Sequence, residues 1–472
     1  MERNIVVVCL DTVRKDVFDR YATRLRARAD VSYESCRAAS CWSVPSHASM
    51  LTGQLPSEHG ATAARPRLDA LDPDDTIRAD LPDHQFLGVS ANVYAGSAYG
   101  FDHLFDGFVD VTRDHRFPDA LDVPTFTKQE TEPGASRYLD VLRACLTHDR
   151  PAESLANAVA AQVDQLWDTG PVEFPAPFDD GAVSARRALV SRVREREREG
   201  PVFAFVNLME GHEPHRDTLR YERDLYDVPR GWRSDELMTW DAVDPGAETE
   251  QELERYREVY GASVEYLDRQ VARLVDEVQA ATDRETTVIV TADHGENLAL
   301  DADDGHLGHI TSLTEGVLHV PLLVLNAPGA GTEDTVVTDH VSHLDLRRLL
   351  AGLASGDLRD VTRDRIPAEV LAITPGNEPL EETDPEYWNR RIRVAYEGDT
   401  KYEWDSLGGE YVLDLDPANP CWQSRADADD GVPAWARDEF DVALEDVELR
   451  GDEEDDDVDE AVAERLRDLG YR

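Results

Sequence analysis

Asn4–Leu10, read Asn-Ile-Val-Val-Val-Cys-Leu, constrains this chain more than any other stretch. A continuous run of β-branched and apolar residues has no polar face to show to water, so it reads as a strand buried on both sides, the pattern of a sheet covered by helices. The expected fold class is therefore α/β. The run ends on Asp11-Thr12, which puts a carboxylate at the carboxyl end of a strand. Open α/β sheets bind ligands at that edge, although an Asp there also serves as an ordinary helix N-cap.

Further strands end in the same way. Val202–Leu208 runs into Met209-Glu210-Gly211-His212-Glu213-Pro214-His215, and Thr286–Thr291 runs into Ala292-Asp293-His294-Gly295-Glu296. The acidic stretch 301–305 then delivers His306 and His309, and Gln85–Ser90 ends at Ala91-Asn92. If these strands are parallel neighbours, Asp11, His212, Asp293 and His294 meet at one sheet edge, with His309 on a following loop. Helices are expected at 153–167, 183–198, 249–281 and 344–353, and another strand at 320–325. The aromatics of the 92–108 loop read as packing for that loop. Residues 109–181, rich in Pro, Asp and Thr, are expected to be an insertion that shapes substrate access, with 153–167 its one helix. From about residue 372 short alternating strands (391–396, 401–404, Glu410–Leu415) suggest an antiparallel C-terminal subdomain. It would contain an acidic irregular stretch at 425–457 and a last helix at 458–469. This leaves 1–371 as the catalytic domain and 372–472 as the subdomain.

Ser43 opens a segment, Ser43-Val-Pro-Ser-His-Ala-Ser-Met-Leu-Thr-Gly53, with Pro45 suited to the first helical position and Gly53 to the stop. A hydroxyl just before the first turn faces free N–H groups and the positive end of the helix dipole, which favour an alkoxide or a transferred oxyanion. The serine oxygen, the Asp11 and Asp293 carboxylates and the neutral imidazole of His294 make a mixed O/N ligand set. That set suits one divalent ion, Mn²⁺, Zn²⁺, Mg²⁺ or Ca²⁺.

Charge narrows the partners. Against 48 Lys and Arg stand 98 Asp and Glu, a net −50 spread along the whole chain, which argues against nucleic acid. An apolar fraction of 41% argues against disorder, and the acidic surface suggests adaptation to a high-salt cytoplasm. The five cysteines have no C-x-x-C spacing, so neither a zinc ribbon nor a disulfide framework is indicated. With no leader pattern and no run near the roughly 20 apolar residues of a membrane span, a soluble cytoplasmic protein is expected.

The chain resembles the sulfatase branch of the alkaline phosphatase superfamily. The resemblance rests on the run from Asn4 to Asp11, the segment from Ser43 to Gly53, Thr291-Ala-Asp-His-Gly-Glu296, His309, Glu315-Gly-Val-Leu-His-Val-Pro-Leu-Leu323, Tyr411-Val-Leu-Asp-Leu-Asp-Pro417 and Leu466-Arg-Asp-Leu-Gly470. It implies a large mixed sheet between helices, a smaller C-terminal sheet, and metal-assisted cleavage of sulfate or phosphate esters through a covalent enzyme intermediate. In sulfatases the nucleophile motif is Cys or Ser, any residue, Pro, any residue, Arg, and its first residue is oxidised to formylglycine. Here His47 holds the Arg position, Cys41 lies two residues too early, Thr12 replaces a second acid, and His309 stands where a typical sulfatase has lysine. These departures look more like the phosphoglycerol transferase and phosphonate monoester hydrolase relatives, some of which attack with an unmodified hydroxyl.

On this reading Ser43 is the nucleophile, and Asp11, Ser43, Asp293 and His294 hold one ion. His212 and His309 contact the non-bridging oxygens, one acting as general acid, and His47 touches the same group; His215 and His306 are second-choice ligands. The substrate would be a small-molecule or glycan- or lipid-linked ester. Three alternatives stay open: a two-metal phosphatase using His212, His215, His306 or His309, a formylglycine sulfatase, and a non-catalytic binding protein.

Overall fold

The computed structural model describes residues 2–130, 136–169, 174–235, 237, 247–309, 311–329, 335–372, 384–426 and 431–447. Its strands are β1 (Asn4–Leu10), β2 (Val31–Arg37), β3 (Gln85–Ser90), β4 (Gly107–Asp110), β5 (Val202–Leu208), β6 (Thr286–Thr291), β7 (Asn297–Leu298), β8 (Leu307–Gly308), β9 (Leu322–Leu325), β10 (Thr335–Ser342), β11 (Arg365–Val370), β12 (Ile392–Glu397), β13 (Thr400–Asp405), β14 (Glu410–Leu415) and β15 (Gln423–Arg425). Eight of them form one sheet in the order β10-β2-β9-β6-β1-β5-β3-β4. β1 lies at its middle with every residue buried, as a run without a polar face requires. It pairs in parallel with β5 and β6, while β9 runs antiparallel to both β6 and β2. The sheet is therefore mixed.

Helices flank this sheet, and one continuous apolar core joins them to it. Helix Ala247–Ala281 buries Leu253, Tyr256, Val259, Tyr260, Val264 and Leu267, the stripe that the spacing predicts. The loop aromatics pack inward as expected: Phe101 stacks edge-on against Phe105 and Phe108, and Tyr94 lies 4.7 Å from Tyr99. Phe108, however, belongs to β4, which extends the sheet edge beside β3.

Residues 109–181 hold more helix than expected. Besides Pro151–Thr169 there are helices Val123–Glu130 and Ser136–Thr147. Asp122 caps the first of these by accepting the N–H of Thr125 at 3.1 Å, so the Pro, Asp and Thr that read as turn residues are helix-start residues. β2 and β10, missing from the sequence reading, pair with each other at the far end of the sheet, where alternating polar residues blur the strand signal.

A second, five-stranded antiparallel sheet runs β11-β12-β13-β14-β15, so its first strand precedes the change of texture at residue 372. The 431–447 segment packs onto it through Ala436, Phe440 and Leu444, with Ala434–Asp438 a short helix. The helix expected at 458–469 lies outside the described residues. A buried network joins the two sheets: Arg37 pairs with Glu315 at 2.8 Å, Tyr396 donates to the same carboxylate at 2.6 Å, and Lys401 lies 3.8 Å from it.

Candidate active site

Because β6, β1 and β5 are parallel neighbours, the segments leaving their carboxyl ends emerge side by side. Asp11, the 209–212 segment and Asp293-His294 therefore converge, and β3, beyond β5, adds Asn92. Two glycines make this approach possible. A Cβ on Gly211 would stand 2.5 Å from the Asp11 carbonyl oxygen, and one on Gly295 would stand 2.1 Å from that of Gly316. Thr12 takes a positive φ of 56°, strained for a β-branched residue, and its N–H reaches Asp293 Oδ1 at 3.4 Å.

Asp11, Ser43, Asp293 and His294 are all buried, and partners fix how each faces the others. Asp11 Oδ2 accepts from the amides of Asn92 at 2.5 Å and Asn207 at 3.3 Å, while Oδ1 has no partner. Asp293 Oδ1 accepts the N–H groups of Thr12 and His294, and its Oδ2 has none. His294 Nδ1 lies 2.9 Å from the Gly295 carbonyl, which can only accept, so the proton sits on Nδ1 and the lone pair on Nε2 is likewise unpartnered. Ligand atoms of Asp11, Asp293 and His294 lie within 4.8 Å of one another. Three buried acceptors with nothing to accept from are what a cation site requires, and the residues fit a divalent ion.

The electrostatics agree. Burial, then the neighbouring Asp293 carboxylate, push Asp11 above the usual carboxylate range. Burial, then His309, hold His294 well below the usual imidazole value, keeping it neutral as a ligand must be.

Ser43 is the first residue of helix Ser43–Thr52, with Trp42 as N-cap, so the helix starts two residues earlier than Pro45 suggested. Proline is tolerated throughout the first turn, where helix geometry leaves N–H groups unused. Ser43 Oγ accepts from Asn92 Nδ2 at 2.9 Å, the same amide that holds Asp11. Asn92 itself is oriented by the loop backbone, its Oδ1 accepting from the Tyr94 N–H at 2.7 Å.

His47 lies beneath this group. Its Nδ1 is 2.6 Å from the Ser43 carbonyl and 3.6 Å from Asp293 Oδ2, and Nε2 is 3.1 Å from Asn207 Nδ2. Both ring nitrogens are thus engaged by the protein, because a helical side chain leans back over the preceding turn. Cys9, His47 and Asp293 also bring ligand atoms within 4.8 Å, but Asn207 holds the free imidazole lone pair and burial pushes the Cys9 thiol well up.

His309 packs against two other imidazoles, with its ring centroid 5.1 Å from that of His212 and 4.7 Å from that of His294. His212 Nδ1 contacts the Glu213 carbonyl at 2.5 Å, and His309 Nδ1 faces the Glu296 carboxylate at 3.4 Å. Burial raises Glu296 to about 8 and lowers His309. His215 packs against Tyr256 and Tyr260, and His306 against Trp388. Among the described residues, no group of three ligand atoms at this spacing includes His212, His215, His306 or His309. Sequence reasoning assigned no role to Asn92, Asn207 or Glu296; each stands at or just beyond a strand end, which is the signal they share with Asp11.

Comparison with known proteins places these observations. A family model described as Sulfatase matches residues 3–356. The choline-sulfatase of Rhizobium meliloti (strain 1021) is 26% identical over 224 residues, 43% of this chain and 42% of that protein, so the chain spans about two-fifths of the curated relative it matches. The phosphonate monoester hydrolase of Silicibacter pomeroyi superposes with a TM-score of 0.57 at 15% identity, covering 88% of this chain and 89% of that one. That of Agrobacterium radiobacter gives 0.57 at 18%, with 91% and 92% covered. At such identities the structural likeness speaks for the fold.

Proposed function

The chain belongs to the sulfatase family, and from that premise we propose a metal-dependent hydrolase or transferase of phosphate or sulfate esters that works through a covalent intermediate on unmodified Ser43. The observation that carries this reading is the trio of unpartnered buried atoms on Asp11, Asp293 and His294, with Ser43 Oγ joined to Asp11 through one Asn92 amide.

Asp11, Ser43, Asp293 and His294 would hold one divalent ion, which supplies positive charge that favours ionised serine oxygen and neutralises the ester. Asn92 donates to Ser43 Oγ, so it stabilises the alkoxide and orients it for attack. His212 and His309 face the transferred group's oxygens, and one of them returns a proton to the leaving alcohol. Glu296 holds His309 in register through Nδ1. His47 positions: it braces Asn207 and lies beside Asp293.

A second reading, a formylglycine sulfatase, is favoured by the match to a choline-sulfatase. One experiment separates the two. The peptide containing Ser43 is weighed, and phosphate mono- and diesters are tested against matched sulfate esters with Mn²⁺, Zn²⁺ and Ca²⁺ in turn. We expect the unmodified serine mass, loss of turnover in Ser43→Ala, and faster cleavage of phosphate esters. A mass two hydrogens lighter together with preferred sulfate esters overturns the proposal.

A further inference from the structure

Helices Ser136–Thr147 and Pro151–Thr169 pack against each other as a hairpin, closed at its turn by the buried Cys145 thiol against the Ser154 carbonyl. The hairpin is anchored at its inner side. Asn157 bonds the 117–121 backbone, Arg113 pairs with Asp164 at 2.8 Å, and the Trp167 indole donates to the Phe174 carbonyl at 2.7 Å. Its outer side is unusual. Tyr138, Leu139, Leu142 and Leu146 follow one another at helical spacing, yet Tyr138 is 67% and Leu139 70% exposed. On the second helix Val159 and Leu166 are 63% and 62% exposed. Nearly half of the large apolar side chains that the described residues expose sit on this one hairpin. Scattered surface leucines need no explanation, whereas a concentrated stripe marks a contact surface.

We propose that this hairpin is a self-association face and that its occupant is a second copy of this chain. Two observations select that partner. Over the hairpin, residues 136–169, three arginines (137, 143 and 150) stand against five acids (Asp140, Asp149, Glu153, Asp164 and Asp168), a net −2 in a chain of −50, and Asp164 and Asp168 are paired with Arg113 and Arg233 from outside it. Copies of so acidic a protein repel one another nearly everywhere, and the hairpin is where they approach without that cost. An anionic lipid surface would instead be repelled by the rest of the molecule. The area is also sufficient: exposed side chains of this size offer roughly 750 Å² per copy, close to the about 800 Å² per partner of a standard interface. Apolar residues four apart on each helix suit ridge-into-groove packing against the same hairpin of the partner, and a two-fold contact closes the assembly at two copies.

The test is sedimentation equilibrium of the full chain in dilute buffer and in molar KCl, together with a thiol probe. The five natural cysteines are all buried, so Leu142→Cys adds a lone exposed thiol among the described residues. Across a two-fold contact it should join two copies under mild oxidation. We expect twice the monomer mass in KCl, and dissociation weakening the dimer in dilute buffer as repulsion reaches further. Leu139→Glu with Leu146→Glu should raise the dissociation constant at least about tenfold. Because both positions are exposed, these changes leave the core intact. A monomer at every salt concentration overturns the proposal. So does a dimer that survives the paired substitution, or one lost in Leu466→Asp instead, which would assign the contact to the C-terminal segment.

Discussion

Asp11 and Asp293 bring two buried carboxylates within reach of each other, and a cation between them would relieve the repulsion of like charges held away from water. His294 adds a lone pair whose direction the Gly295 carbonyl dictates. Replacing Asp293 by Ala removes one charge from this trio without touching the strand, so bound metal and turnover should fall together. Metal analysis of the purified variant checks this, and wild-type metal content would refute the ligand assignment. His309 behaves differently, because it stands beside the trio and leans on Glu296. His309→Ala should keep its metal and lose about a hundredfold in rate, the usual effect of one charge-stabilising donor.

At the scale of the element, the site exists because three parallel strands end level with one another, and the loops leaving them must then cross at close range. The chain solves this with Gly211 over the Asp11 carbonyl and Gly295 over Gly316. A methyl group at residue 211 would meet Asp11 backbone and Val13, neither of which is the far end of a flexible side chain. Gly211→Ala should therefore shift the His212 segment against Asp11. A displacement of about 1 Å at a reacting group costs on the order of a hundredfold in rate, whereas the buried strands should hold the fold. Steady-state kinetics beside a circular dichroism melt distinguishes misplacement from unfolding; unchanged kcat/KM would show that the loop has room to spare.

For the whole molecule, two electrostatic effects work at different ranges. The net −50 is long-ranged, and the screening length falls from about 10 Å at 0.1 M salt to about 3 Å at 1 M. We propose that the surface is adapted to high salt, so the unfolding midpoint should rise from dilute buffer to molar KCl; a midpoint indifferent to KCl would remove that reading. Glu315 is the short-ranged case. Burial works to raise its carboxyl, but Arg37, Lys401 and the Tyr396 hydroxyl together hold it below the usual glutamate value. A carboxyl lowered on folding contributes stability that is fully present above its unfolded value of about 4.3 and is lost as pH falls through the lower folded value. Urea unfolding across acid pH should show Glu315→Gln less stable at neutral pH and less sensitive to acid; an unchanged acid slope would mean that the inter-sheet network is not what acid breaks.

What the sequence determined by itself is what local chemistry can express. A run of β-branched residues without a polar face, as in β1 and β6, reads as a doubly covered strand, and acidic or imidazole residues set immediately after such runs read as standing at a sheet edge. Asp11, Asp293 and His294 were legible for that reason, whereas His309 was read onto a following loop; the antiparallel texture of the C-terminal sheet was legible as well. The helices at 123–130 and 136–147 were hidden because their caps and flanks use turn residues. Ser43 and His47 were read as a pair one helical turn apart, yet which way the imidazole points depended on Asn207, a residue 160 positions away. Tertiary structure alone placed Asn92 between Ser43 and Asp11, paired Glu296 with His309, and left the 136–169 hairpin showing its apolar side to solvent. An amide at the end of a strand has no sequence signature, because its meaning comes from whatever the neighbouring strands deliver beside it. Strand order decides that, and strand order is a property of the whole sheet.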